Sequence, residues 1–451
     1  MLLIIDNGNN IFLYEKIIPI LKNRYKKDVL YITLSKNKAN YINEIGGVAL
    51  YLKDVEYNNE YLQKLFLIEE SQHGFTLNQC IFSDRILKYK KTDDAVSLLN
   101  DYAVRFISIL EKYNISAVIG EISWGVELLF FNICKFYNIK YINPLNVYIQ
   151  SVPKLVFFDD KHTDVYFKIN KSSSNKDLSD DIKNRTNIDI NDTIGKSLQN
   201  VALSQYAKRG FISWKFRDDY EYRDGVKIKF RRIKVILKKH ILKIIRSYFY
   251  DQLDNKKYIY FPLHVQPEAT PDVVAVNYSN QLEIVKQVAR SLPINTRLVV
   301  KEHPNAIGSL PIREVFEIKK IHNVIYCDPN NNSMSLIKNS FCVVTIAGTA
   351  AVEGRLCDKP VIFFSDKFYS EKLEHVYTEY NFNNLPKLIK SFSNPKSDYA
   401  CKDANSFNSY ISSISRDCYI YDPIIYPHVL CEDNIIKLAE SINEMVYYGE
   451  K

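Results

Sequence analysis

The sequence predicts an α/β protein with two doubly wound, Rossmann-type domains, and three observations support this. The 451 residues exceed what one ordinary hydrophobic core holds together. In two parts of the chain, short apolar segments alternate with segments of helical length, as they do in parallel sheets. Polar residues follow several of the apolar segments, at the positions where an open parallel sheet binds its ligands.

The first α/β part occupies the beginning of the chain. The apolar patterns predict strands at 2–5, 29–34, 117–119 and 140–142, and helices at 13–25 and 126–137. Pro19 is expected to kink the first of these helices. Residues 159–193 then turn polar, which predicts a loop or mobile insertion.

The second α/β part starts at residue 258 and repeats the strand–helix unit with short connections. Strands are predicted at 258–263, 296–301, 323–327, 341–346 and 360–364, and helices at 278–291, 311–320, 333–339, 349–357 and 434–447. We therefore expect an N-terminal Rossmann-like domain over 1–200, a linker over 201–256, a C-terminal Rossmann-like domain over 257–425, and a C-terminal helix within 426–451 that packs back toward the N-terminal domain.

The net charge of +8 is concentrated in one segment. Residues 227–246 contain nine Lys or Arg and no acid, interleaved with Ile, Leu and Phe. A basic amphipathic helix of this kind is typical of binding to an anionic membrane surface. The alternative is an interdomain helix with a solvated basic face. Nucleic acid is not an expected partner, because no reader motif or aromatic-basic platform accompanies the charge.

Composition and missing motifs disfavour several classes of function. The eight cysteines form no C-x-x-C pair, and neither a disulfide framework nor a metal spacing is visible. The first residues lack the features of a signal peptide, and no apolar run approaches the roughly 18–20 residues of a membrane span. We expect a cytoplasmic protein, peripheral on the inner face of the membrane if 227–246 binds there. Walker A, G-x-G-x-x-G, G-x-S-x-G and H-E-x-x-H motifs are absent, so no cofactor or catalytic metal is expected.

The sequence Lys-Glu-His-Pro at 301–304 follows a predicted buried strand. Pro304 favours an extended backbone at His303, which fixes that residue at the strand exit. His303 can donate a hydrogen bond to a phosphate oxygen, and Lys301 adds positive charge nearby. The alternative is that His303 only caps the strand end.

A turn of small residues follows the strand predicted at 341–346. Thr345, Gly348 and Thr349 lie between that strand and a helix, where free amides and hydroxyls can bind an anion. Gly348 lets a phosphate approach the backbone. Glu353, one turn into the helix, can bind a ribose diol. The alternatives are a plain N-cap at Thr349 and a carboxylate placed favourably near the helix N-terminus at Glu353.

Two further polar groups follow strands. The loop 262–271 carries His264, Gln266 and Glu268 between prolines, which suits it to contact a base or an acceptor, although a purely structural turn is equally consistent. Glu121 follows the strand 117–119 and can act as a general base for an acceptor hydroxyl.

Asp6 and Glu127 are rival candidates for the general base. Asp6 follows the first strand, and Glu127 lies at the start of the helix predicted at 126–137.

Residues 261–268 and 301–304, together with the run from Thr345 to Val361, resemble the bacterial capsule and surface polysaccharide biosynthesis proteins, a family that includes Kdo transferases. The His-Pro pair and the hydroxyl-bearing turn are also similar to bacterial sialyltransferases of the GT-B fold. The resemblance implies a GT-B-like protein whose two Rossmann domains face a cleft, the first for the acceptor and the second for the nucleotide-sugar donor. It implies that His303 and Thr349 hold the donor phosphate, that Glu353 holds the ribose and that Glu121 is the base.

The activity implied by this resemblance is sugar transfer without a metal, from a CMP-activated ulosonic acid of Kdo or nonulosonate type to a glycan or lipid-linked acceptor of capsule or lipopolysaccharide synthesis. Other activities remain open. They are hexose transfer from a UDP- or GDP-sugar, CDP-polyol phosphotransfer, nucleotide-sugar epimerisation, and a non-catalytic role in polysaccharide synthesis or export.

Overall fold

The structure is a computed structural model. It describes residues 1–147 except 7, 9, 59 and 73, then 154–167, then 234, 235, 237, 238, 240–242 and 244, then 249–393, 399 and 404–447. These residues fall into two compact units, and the C-terminal residues from Tyr410 onward belong to the first of them.

The N-terminal unit begins with a βα alternation. Its strands are β1 (Leu2–Ile5), β2 (Val29–Thr33), β3 (Ala49–Tyr51), β4 (Ala117–Ile119), β5 (Lys140–Val147) and β6 (Lys154–Phe158). Its helices are α1 (Ile11–Tyr25), α2 (Lys36–Glu44), α3 (Tyr61–Ser71), α4 (Leu77–Ser83), α5 (Thr92–Lys112) and α6 (Gly125–Phe136). Pro19 lies inside α1.

The C-terminal unit contains a second series of strands and helices. Its strands are β7 (Tyr258–Pro262), β8 (Arg297–Lys301), β9 (Val324–Cys327), β10 (Cys342–Thr345), β11 (Val361–Phe363) and β12 (Val376–Thr378). Its helices are α7 (Gln281–Arg290), α8 (Ile312–Lys319), α9 (Ser333–Asn339), α10 (Ala350–Leu356) and α11 (Leu385–Phe392).

The chain then returns to the first unit through three elements. These are α12 (Ala404–Ile414), β13 (Ser415–Arg416) and α13 (Glu432–Tyr447). β13 pairs with β6, and α13 packs along α1.

The first sheet has the strand order β13-β6-β5-β4-β1-β2-β3. The five strands β1 to β5 are parallel, whereas β6 and β13 are added in antiparallel fashion at one edge. Every residue of β1 and β4 is buried, as expected for strands covered on both faces by helices. The parallel strands carry the Rossmann order 3-2-1-4-5, which reverses between β1 and β4.

The second sheet is entirely parallel, with the order β12-β11-β10-β7-β8-β9. This is the complete Rossmann order, and it reverses between β7 and β10. One core holds the unit together, because helices such as α7 and α11 bury their apolar faces on these strands. The α/β fold with two Rossmann-type sheets is thus confirmed. The basic segment 227–246 lies mostly outside the described residues.

Candidate functional site

The carboxyl ends of β7 and β10 lie side by side at the point where the second sheet reverses its strand order. His264 comes two residues after β7, and Thr345 is the last residue of β10. The neighbouring β8 leads to His303. Lys367 follows the end of β11. We refer to His264, His303, Thr345, Gly348 and Lys367 as the His264 cluster.

The imidazole of His264 is bound to the turn that follows β10. The amide of Ala347 donates to Nε2 of His264 at 3.3 Å, and the Thr345 hydroxyl lies 3.4 Å from the same nitrogen. Since Nε2 accepts, the neutral ring carries its proton on Nδ1, and this nitrogen is a hydrogen-bond donor.

The charge state of His264 follows from its surroundings. Burial lowers its pKa to about 3, with smaller contributions from Lys367 and His303. The ring is therefore neutral throughout the physiological range.

The main chain of His264 is held in place by one buried amide side chain. Gln281, which is 3% exposed, accepts from the His264 amide at 2.6 Å and donates to the His264 carbonyl at 3.1 Å. Gln281 also donates to Oε1 of Gln266, while Gln266 donates to Asp272 at 3.0 Å. Gln266, a predicted donor-binding residue, is thus engaged in holding the loop, which contains a cis peptide at Gln266–Pro267.

Gly348 is the close-approach residue of the cluster. A Cβ atom added at this position would lie 2.9 Å from Thr345 Oγ1 and 3.0 Å from Cε1 of His264. The Gly348 amide donates to Thr345 Oγ1 at 3.2 Å, and the Ala347 amide is used by His264. The glycine therefore makes room for the imidazole of His264. The amides of Ala347 and Gly348, which were predicted to bind an anion, instead donate hydrogen bonds within the protein.

Lys301 and His303 occupy different environments although they are two residues apart. Lys301 is 3% exposed, and its ammonium donates to the carbonyls of Pro329 and Asn331 and to the Ser333 hydroxyl at 2.7–3.2 Å. Lys301 thus holds the loop after β9. His303 is half-buried beside His264, and Pro304 begins a short 3₁₀ turn.

Thr349 and Glu353 lie together at the start of α10. Thr349 is exposed, and its hydroxyl lies 3.5 Å from Oε1 of Glu353. The Thr349 side chain makes no capping hydrogen bond, so the plain N-cap alternative is not what the structure contains. Tyr369, which sequence reasoning did not select, donates to the Gly348 carbonyl at 3.0 Å and lies beside Glu353.

Lys367 is a candidate site residue that sequence reasoning missed. Burial lowers its pKa to about 8, although the carboxylate of Glu268 opposes this change. Glu268 itself is exposed, and its amide donates to Asp272. Lys367 could have been found by the rule used for the other strands, because it lies four residues after the end of β11.

The first sheet carries acids at its own reversal point, between β1 and β4. Asp6 is 8% exposed; it accepts from Lys38 at 2.6 Å and from Thr33 at 2.8 Å, and it also accepts from Tyr31. Asp6 is therefore engaged in an internal ion pair. Glu127 is 3% exposed in the first turn of α6.

Glu121 differs from these two rivals because it is half-buried at the end of β4. Burial raises its pKa to about 7, and the positive charge of Arg85 opposes this rise. A carboxyl group that titrates near neutral pH can both accept and release a proton under physiological conditions.

Two features concern metals and membranes. Among the described residues, no three His, Cys, Asp or Glu side chains are grouped so as to hold a metal ion. The helices of the described residues include none with the length and hydrophobicity of a transmembrane span.

Several solved structures are similar to this chain at low identity. The beta Kdo 2,7 transferase KpsC of Thermosulfurimonas dismutans is 14% identical with a TM-score of 0.33, over 79% of this chain and 98% of its own. A glycosyltransferase from Rickettsia africae is 11% identical with a TM-score of 0.29, over 99% and 98%. A UDP-GlcNAc 2-epimerase from Methanocaldococcus jannaschii is 11% identical with a TM-score of 0.26, over 91% and 98%. At such scores these likenesses assign no activity.

A comparison with protein families is more informative. No curated protein matches the chain. Residues 161–372 match the family model described as capsule polysaccharide biosynthesis protein. The matched segment contains the entire His264 cluster together with Thr349 and Glu353. Over residues 161–372, the chain is therefore similar to the capsule polysaccharide biosynthesis protein family.

Proposed function

We propose that the chain is a glycosyltransferase of bacterial surface polysaccharide synthesis that uses a nucleotide-activated sugar, and that its donor is a CMP-activated ulosonic acid. The observation that carries this proposal is the His264 cluster, which gathers two imidazoles and an ammonium at the reversal point of a Rossmann sheet. Nucleotides bind at such points in open α/β sheets.

The cluster suits a phosphate that gains charge as it leaves. The acceptor hydroxyl oxygen forms a bond to the anomeric carbon, and the bond from that carbon to the phosphate oxygen breaks. The nucleotide departs with both electrons of that bond. Lys367 and His303, together with the Nδ1–H of neutral His264, stabilise the negative charge that develops on the phosphate. This part of the reaction is assigned to the C-terminal unit.

The proton of the acceptor hydroxyl is assigned to Glu121 in the N-terminal unit. With a pKa of about 7, a large fraction of Glu121 is ionised at neutral pH while the group remains basic enough to take a proton. Asp6 is disfavoured because its carboxylate is already paired with Lys38. The acceptor is a glycan or a lipid-linked saccharide.

Recognition of the nucleoside is assigned to Glu353 and Thr349, which lie together beside the cluster. The Glu353 carboxylate would accept from the ribose diol, and the exposed Thr349 hydroxyl would contact the phosphate. The preference for a CMP-sugar rests on the resemblance of the His-Pro pair and the hydroxyl-bearing turn to CMP-sugar transferases.

We further propose that the basic segment 227–246 attaches the protein to the inner face of the cytoplasmic membrane. Among its described residues, Leu237, Ile241 and Ile244 are 56–82% exposed at helical spacing. Such a stripe beside lysines is suited to an anionic bilayer surface. Lys238 does not contribute fully, because its ammonium donates to the Leu310 carbonyl.

A donor screen tests the proposed function. The protein is incubated with CMP-, UDP- and GDP-sugars and a saccharide acceptor, and the products are identified by mass spectrometry. Release of CMP together with a lengthened acceptor supports the proposal. Release of UDP or GDP reassigns the donor to an ordinary hexose, an isomerised donor without transfer indicates an epimerase, and no turnover with any donor supports a non-catalytic role.

A further inference from the structure

We propose that the N-terminal unit contains a binding subsite for an anionic sugar, in which Arg85 binds a carboxylate or phosphate group beside Trp124 and Glu121. This subsite deepens the proposed function and rests on it, since it assigns the chemical class of the acceptor. None of the sequence motifs pointed to Arg85, because it lies in a short turn between helices.

The turn that carries Arg85 is fixed by a buried carboxylate. Asp84 is fully buried, and its Oδ1 accepts from the amides of Ile86 and Leu87 at 2.8 and 2.9 Å. The backbone on both sides of Arg85 is therefore held, and its side chain extends from a rigid base.

The same turn is packed against the first residue of α6. A Cβ atom added to Gly125 would lie 1.9 Å from the Cys80 carbonyl oxygen and 2.9 Å from Cβ of Asp84. Any side chain at Gly125 would therefore push α4 and its turn away from α6. Gly125 allows the turn after α4 to pack against the start of α6. This contact brings Arg85 to Trp124, the residue that precedes Gly125.

Arg85 stacks on the indole of Trp124 and makes no direct ion pair with a carboxylate among the residues that the structure describes. Its guanidinium carbon lies 4.7 Å from the centroid of the Trp124 ring, which holds the group by a cation–π contact. One Nη lies 3.5 Å from the Ser123 carbonyl, and Nε is buried without a hydrogen-bond partner. No ion pair of Arg85 occurs among the described residues. Its planar fork therefore remains suited to a carboxylate or phosphate.

A second cation lies near the same helix start. Asn143 donates to the carbonyls of Asp160 and Lys161 at 3.0 and 2.8 Å and accepts from the Ile122 amide at 3.2 Å. This amide side chain ties the Lys161 segment to the loop that carries Glu121. The charge of Lys161 is near enough to lower the pKa of the Cys80 thiol, although burial raises that pKa overall. The carbonyl of Cys80 in turn contacts Gly125. Asp160, the nearby acid, accepts from the amides of Thr163 and Asp164.

These groups together define the ligand. The guanidinium binds the acidic group, the indole offers apolar surface to a sugar ring, and Glu121 lies close enough for its charge to interact with that of Arg85. A sugar bound by its acidic group would thus present a hydroxyl toward the proposed base. A neutral sugar would offer the guanidinium no anionic group.

Tryptophan fluorescence provides a direct test, because the chain has two tryptophans and the second, Trp214, lies outside the described residues. In a Trp214→Phe protein, emission reports on Trp124 alone. Glucuronic acid, glucose 6-phosphate and glucose are titrated without any nucleotide sugar. We expect one or both acidic sugars to change the emission saturably, with the stronger binder distinguishing carboxylate from phosphate, and we expect glucose to give no response.

Variants on the same turn supply the controls. Arg85→Gln should weaken binding of the acidic sugar about tenfold or more, the loss expected for one charge-assisted contact. Arg85→Lys should retain part of the affinity, and Lys88→Gln should bind as the parent does. Equal binding of glucose, unchanged affinity in Arg85→Gln, or an equal loss in Lys88→Gln would overturn the proposal. Because no donor is present, this result is independent of the donor screen: binding without turnover refutes the transferase and leaves the subsite standing.

Discussion

Nε2 of His264 accepts a hydrogen bond from the amide of Ala347 at 3.3 Å, so two strand ends of the second sheet are joined by an imidazole. The two residues are 83 positions apart in sequence, and parallel pairing of β7 with β10 brings them together. The contact depends on Gly348, since a Cβ there would lie 3.0 Å from the ring.

The first prediction concerns Gly348→Ala. The added methyl group displaces His264, and we expect the affinity for the nucleotide, measured by isothermal titration calorimetry, to fall at least tenfold. The control is a double-mutant cycle. In a His264→Ala background, Gly348→Ala should cost little more, because its clashing partner is gone. Fully additive losses would mean that Gly348 acts independently of the imidazole.

The second prediction concerns the charge of Lys367. Its pKa of about 8 means that the ammonium loses its proton as the pH rises through this value. Nucleotide affinity should therefore decline between about pH 7 and pH 9. In Lys367→Arg the charge persists, so the affinity should stay flat over this range. A wild-type affinity that does not change with pH would exclude Lys367 as a phosphate ligand.

A third prediction concerns Glu121 as the general base. Glu121→Gln should lower kcat by about 10²- to 10⁴-fold, the range typical of a lost general base, and leave the KM for the donor unchanged. In the wild type, kcat should rise with pH through about 7, as the carboxyl ionises. The variant should lack this rise. A variant that keeps the wild-type profile would assign the base elsewhere.

The fourth prediction links Glu302 to stability. Glu302 is 2% exposed, and burial raises its pKa from 4.5 to about 7, opposed by Tyr326 and Lys238. Between these two pH values the folded protein binds more protons than the unfolded chain. The contribution of Glu302 to the free energy of unfolding is therefore largest below pH 4.5. This contribution, up to about 3 kcal/mol, is lost as the pH rises to 7.

Glu302→Gln removes this dependence. The free energy of unfolding of the variant and of the wild type is measured in urea at pH 5 and at pH 8. The value of the variant minus that of the wild type should be larger at pH 8 than at pH 5. A difference between the two proteins that is the same at both pH values would show that Glu302 does not titrate in this window.

The fifth prediction concerns the exposed apolar stripe of the basic segment. Ile241 and Ile244 are 56% and 82% exposed, so replacing both by Ser costs the folded unit little. Co-sedimentation with vesicles rich in phosphatidylglycerol should fall severalfold in the double variant and also at high salt. Phe316→Ser, at a residue that is 51% exposed on α8, is the control. Unchanged sedimentation of the double variant would contradict membrane attachment through this stripe.

The sequence predicted the central parallel strands well, because strands buried on both faces read as continuous apolar runs. The parallel edge strands β3 and β12 were not predicted. Leu2–Ile5 and Ala117–Ile119 were predicted to the residue, and α9 was predicted over its full range of Ser333–Asn339. The antiparallel edge was missed. β13 has two residues, and its pairing with β6 joins positions about 260 residues apart, so no local pattern reveals it.

The site was predictable in its residues and less so in its contacts. The position after a strand selected His264, His303 and Thr345, because the carboxyl ends of parallel strands meet at one edge. The direction of the Lys301 side chain depends on the loop after β9, which supplies three oxygens for its ammonium. The contact of Gly348 with His264 depends on strand order. Arg85 has no strand-end position, and its place is set by tertiary packing at Gly125.

We propose above that the His264 cluster holds the nucleotide of an activated sugar and that the transfer of this sugar requires Glu121. The most direct measurement is mass spectrometry of CMP and of the extended acceptor in one reaction, for the wild type, His264→Ala and Glu121→Gln. We expect equimolar CMP and extended acceptor with the wild type, weaker donor binding with His264→Ala, and normal donor binding without transfer with Glu121→Gln. Sugar transfer that proceeds at the wild-type rate in both variants would contradict this proposal.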